Sequence, residues 1–98
     1  MRIEYEHKLT KEEAYRKANE LLNNLQRQYG DMINNTHINW NNSNDIMNFS
    51  FRVSGFDVEG IVQLYNGLII VYGKMPFLAR PFQGKIESAI RQKLEESI

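Results

Sequence analysis

The stretch from residue 47 to residue 73 constrains the fold of this chain more than any other. Met47, Phe49, Phe51 and Val53 alternate with polar residues, and Phe56, Val58, Gly60, Val62 and Leu64 repeat the pattern, with Ile61 on the opposite, outer face. A period of two sends one row of side chains to a core and the other to solvent, the mark of half-buried antiparallel strands. Asn66-Gly67 then separates the second strand from a third run at 68–73. That dipeptide suits a two-residue type I′ hairpin turn, whose central residues both take positive φ. The third run is apolar on both faces, which predicts a central or doubly covered strand.

Two helices flank this region. Ile3, Tyr5 and His7 alternate with charged residues over 2–8, so the chain opens with a half-buried strand. Thr10-Lys11-Glu12-Glu13 reads as a capping box, with Leu9 placed to staple against Ala14. Ala14, Ala18, Leu21, Leu22, Leu25 and Tyr29 form one stripe at helical spacing, and Gly30 stands where a left-handed C-cap is expected; the helix is 10–29. Residues 31–45 are asparagine-rich, with a short strand at 36–40 that puts Ile38 and Trp40 on one face and a turn at 41–45. After a break at 75–81, Pro81 sits near the first turn of a helix running to the C-terminus. Its stripe is Phe82, Ile86, Ala89, Ile90 and Leu94, with Ile98 a looser end. The order is β-α-β-β-β-β-α. It predicts an α+β fold, a curved antiparallel sheet with two helices packed on one face.

Ninety-eight residues fit a single domain, 1–98, that buries somewhat more than about 60% of its unfolded surface. Twelve Lys plus Arg balance twelve Asp plus Glu, so the chain lacks the basic excess that a nucleic-acid binder uses to displace counterions. With no cysteine there is neither disulfide nor thiolate chemistry. The charged, alternating start is no signal peptide, and the apolar run at 68–72 is too short to span a bilayer. A cytoplasmic location follows, with no nucleic acid and no transmembrane segment.

The chain also offers little to catalysis. His7 and His37 fall on different strands without metal-motif spacing, and the serines lack a nucleophile-elbow context. Asp57 and Glu59 share a strand face, where a solvated pair beside a cation such as Arg52 is a better reading than acid–base work. No enzyme, metal or cofactor is expected. The segment 74–86 carries more information. Lys74, Arg80 and Lys85 surround Met75, Phe77, Leu78 and Phe82, with Pro76 and Pro81 stiffening the connection. Cations beside clustered apolar groups suit an interface, whereas an apolar loop next to a helix more often closes a core. The candidate binding residues are Met75, Phe77, Leu78, Arg80, Phe82 and Lys85.

Phe49-Ser50-Phe51-Arg52-Val53-Ser54-Gly55, then Gly60, then residues 75–98 resemble the polyhydroxyalkanoic acid system proteins, small bacterial proteins linked to polyester-granule operons. The most telling part is Leu78-Ala79-Arg80-Pro81-Phe82-Gln83-Gly84-Lys85-Ile86-Glu87, followed by Ile90-Arg91 and Leu94. Tyr29-Gly30 and Trp40 before a turn match as well. The turn at 41–45 departs from the family's tight Gly-Asp turn, and Gln83 replaces a usual basic residue. The resemblance implies a granule-associated or accessory role and no catalytic residue.

The leading expectation is therefore a non-enzymatic interaction module, its partner a polymer granule surface or another protein. The alternative is a small hydrophobic-ligand carrier, with a cavity between sheet and C-terminal helix lined by residues such as Phe51, Val62, Tyr72 and Ile90. A homodimer is compatible with either.

Overall fold

A computed structural model describes residues 1–97. Its elements run β1 (Arg2–Glu6), α1 (Lys11–Tyr29), β2 (Ile33–Trp40), β3 (Ile46–Val53), β4 (Phe56–Tyr65), β5 (Leu68–Lys74) and α2 (Gln83–Ser97). Two 3-10 segments, Gly30–Met32 and Phe77–Phe82, precede β2 and α2. All five strands form one antiparallel sheet in the order β1-β5-β4-β3-β2. The α+β architecture and the β-α-β-β-β-β-α order are those expected. Ile98 lies outside the described residues.

β1 and β2 are consecutive strands at opposite edges of the sheet, so α1 must carry the chain across it. Nineteen residues of helix rise roughly 28 Å, enough to cross four strand spacings of about 4.8 Å each. α1 starts where the sequence indicates. Glu13 N–H donates to Thr10 Oγ1 at 3.1 Å, and Thr10 N–H and Oγ1 donate to Glu13 Oε1 at 3.2 and 3.0 Å. These bonds hold the Glu13 carboxyl below the usual glutamate range, the Thr10 backbone amide contributing most. The helix ends at Gly30 with φ 58° but ψ −132°, outside the left-handed helical region, and the chain continues into the 3-10 turn.

The register explains which side chains share a core. Ile3, Val71, Val62 and Met47 stand in one row across the sheet, with Phe49, Phe51, Val58, Leu64 and Ile69 on the same face. Leu21, Leu22 and Leu25 of α1 and Ile90 and Leu94 of α2 close over them, all buried. The opposite face carries Arg2, Glu4, Arg52, Asp57, Ile61 and Tyr72. β5 lies between β1 and β4, and its Ile69, Ile70 and Val71 are buried, as a run apolar on both faces predicts.

β2 is longer than the 36–40 expected. Ile33 pairs with Val53 and Ile38 with Phe49, which requires one extra residue on β2 between Asn34 and His37. Asn35 supplies the bulge at φ 53°, a left-handed conformation that asparagine tolerates. In an unbroken strand, positions 33 and 38 would face opposite ways. The bulge restores parity, so buried Ile33 joins Ile38 and Trp40 on the core side. Trp40 packs against Tyr15 of α1 in a tilted arrangement, with centroids 4.6 Å apart, and donates Nε1–H to Asn19 Oδ1 at 2.9 Å.

The turn chemistry needs one correction. Positive φ at both central residues occurs at Ser54-Gly55, with values of 50° and 83°. At Asn66-Gly67 only the glycine has positive φ, so the type I′ turn expected there does not form. The Gly67 carbonyl accepts the His7 amide at 2.9 Å, tying this turn to the end of β1.

Candidate functional site

The sequence-predicted candidates cluster around the 3-10 segment Phe77–Phe82 between β5 and α2. A 3-10 helix has three residues per turn, so side chains at i and i+3 eclipse. Ala79 and Phe82 accordingly point to the same side, toward the helices, and Ala79 is fully buried. Phe77 and Arg80 form the next row, with the guanidinium 5.1 Å from the ring centroid. Phe77 and Leu78 are each 74% exposed and Phe82 46%, next to Phe56 at 5.8 Å between centroids. Core closure thus holds for Ala79 and, in part, for Met75, which packs at the margin of the core. It does not hold for Phe77 and Leu78, whereas Phe82 is half-buried against Phe56. Lys74 leaves the group, since it stands opposite Glu59 on the sheet face remote from the helices.

Phe82 and Lys85 form the rim of a cleft of about 140 Å³ where the C-terminal end of α1 meets the N-terminal half of α2. Phe51 and Ile33 form its floor, Leu25 and Tyr29 one wall, Ile86 and Ile90 the other. The small side chains of Ala79 and Ala89 leave the space that larger residues would fill. Of the residues expected to line such a cavity, Phe51 and Ile90 do so. Val62 is buried elsewhere in the core, and Tyr72 lies on the opposite sheet face, where Arg2 stacks 5.6 Å from its ring centroid. Sequence reasoning missed Met32, 52% exposed beside Phe82 at the cleft, because nothing before Ile33 announces the 3-10 turn that carries it.

The polar candidates fall apart in space. His7 Nδ1 accepts the Leu9 amide at 3.0 Å, leaving Nε2 buried without a hydrogen-bond partner, while His37 is exposed on edge strand β2. Arg52 pairs with Asp57 at 3.0 Å on the outer sheet face, as the strand pairing suggests. Among the described residues no three His, Cys, Asp or Glu side chains gather where they could hold a metal ion, and no helix is long and apolar enough to cross a membrane.

Over residues 1–98 the chain matches the family described as putative polyhydroxyalkanoic acid system protein. The chain belongs to that family. Compared with curated proteins and with solved structures, it has no significant match. Family membership accords with the motif at 78–94, which the fold distributes between the exposed 3-10 segment and the core-facing stripe of α2. It is consistent with an accessory role at the granule, and the family is not one of known enzymes.

Proposed function

We propose that this protein is a non-enzymatic accessory module that associates with polyester granules through the knuckle of Phe77, Leu78 and Phe82. The observation that carries the reading is the exposure of Phe77 and Leu78 at 74% each, on a short segment anchored by buried Ala79. Large apolar side chains held in water by a rigid support gain free energy on meeting an apolar phase. Burial of the exposed parts of the three would contribute roughly 3–6 kcal/mol, scaled from about 1.5–3 kcal/mol for a fully buried large side chain. That is a reversible anchorage, comparable to one acyl chain in a membrane, so retention grows with the number of copies on a surface. Arg80 and Lys85 flank the knuckle and favour an interface that carries negative charge.

The test is retention on washed polyhydroxybutyrate particles. Wild type is expected to stay bound, and Phe77→Asp/Leu78→Asp to wash off while melting within a few degrees of wild type. Equal retention of the double variant would remove the knuckle from the interface. Unfolding of that variant would return these residues to the core.

A further inference from the structure

We infer that the cleft between α1 and α2 binds a short aliphatic monocarboxylate, its chain lying along Phe51, Ile86 and Ile90 and its carboxylate at Lys85. The cleft shares Phe82 and Lys85 with the margin of the knuckle, but Phe77, Leu78 and Arg80 do not line it, so the two sites can be tested separately. Its size sets the ligand. At about 140 Å³ it compares with the engineered apolar cavity of about 150 Å³ that accepts benzene, so it has room for roughly six carbon atoms. Its walls set the chemistry. They are almost wholly apolar, with hydroxyl groups only from Tyr29 and Ser54 and no acidic side chain.

Lys85 is the one charged residue on the lining, and it sits at the exposed rim. Among the described residues no carboxylate lies within ion-pairing distance of it. An apolar slot with a single cation at its mouth matches a ligand with an apolar body and one negative charge at its end. A neutral chain would leave the ammonium with water as its only partner. A small anion without a chain would leave the slot without one.

The experiment is a titration of the full chain, followed by backbone amide shifts, with hexanoate, acetate and hexanol. Hexanoate is expected to shift amides around Leu25, Phe51, Ala79 and Ala89, with a Kd in roughly the millimolar range expected of so few ligand atoms. Lys85→Gln, a change at an exposed position, should weaken hexanoate by roughly two- to fivefold and leave hexanol unchanged, the loss of one solvent-exposed ion pair. Ala89→Leu, which fills the slot, should abolish the response to both. Phe77→Asp/Leu78→Asp should bind hexanoate like wild type, which separates failure at the cleft from failure at the knuckle. The inference is overturned if acetate shifts the same amides as strongly as hexanoate, leaving a surface anion contact alone. It is also overturned if Lys85→Gln binds hexanoate unchanged, or if no ligand moves the cleft amides.

Discussion

A Cβ built on Gly60 would collide with the Tyr72 carbonyl oxygen and come within 2.8 Å of Phe49 Cζ. Gly60 faces Phe49 on one neighbouring strand and Gly73 on the other, so the Phe49 ring lies across the middle of the sheet in space that any side chain would take. Because the tightest contact is with backbone, repacking cannot relieve it. Gly60→Ala is expected to cost about 1–3 kcal/mol or more, lowering the melting midpoint by about 4–8 °C per kcal/mol in a domain of this length. Gly84 is the control. Its Cβ would meet nothing within 4 Å, and it lies in the first turn of α2, so Gly84→Ala should leave the midpoint unchanged or raise it. If both variants melt alike in a thermal scan, close approach at Gly60 is not what the glycine serves. The alternation put Gly60 in the core-facing row, but only the register reveals the ring that crosses it.

At the scale of elements, legibility followed how far a signal depended on neighbours in sequence alone. The α1 cap is wholly local, and all three of its bonds form. Thr10→Ala is expected to destabilise the protein by about 1 kcal/mol near neutral pH. The pH dependence follows from Glu13. Its folded pKa is depressed, so its contribution is present above the unfolded glutamate value and is lost as pH falls through the lower folded value. Thr10→Ala removes the hydroxyl's bond to the Glu13 carboxylate but keeps the larger contribution of the amide, so its penalty in urea melts should shrink in part between about pH 7 and about pH 3; a penalty that grows on acidification would contradict the charge-assisted cap. β2 was half hidden because Asn34-Asn35 reads as loop, and the bulge that makes it a strand matters only once Ile33 has a partner in Val53. Tyr72 was misplaced for a different reason. A β4–β5 hairpin closing at Tyr65↔Leu68 must set Tyr72 opposite Ile61, and Ile61 was already legible as outward-facing. The doubly apolar run of β5 offered no alternation to force that step.

At the scale of the molecule, a sheet covered on one face by two helices leaves the segment between β5 and α2 to turn a corner at the end of the core. Composition made Phe77, Leu78 and Phe82 conspicuous, but the exposure of Phe77 and Leu78 depends on the 3-10 winding that turns Ala79 inward in their place. The cleft was less legible still, because it exists only where two helix ends, a strand end and the Ser54 turn converge. This division yields a test in which two neighbouring positions must behave oppositely. Ala79→Asp would put a carboxyl group into a fully buried site and is expected to cost roughly 2–4 kcal/mol in urea denaturation. Phe77→Asp and Leu78→Asp change side chains already in water and should each fall within about 0.5 kcal/mol of wild type. Had the segment served to close the core as a unit, all three substitutions would destabilise by similar amounts. A single inward alanine flanked by outward apolar residues means that stability and surface chemistry are carried by different side chains one position apart. The surface can then be altered without loss of the fold, the condition under which granule retention of the double variant reports on the interface alone.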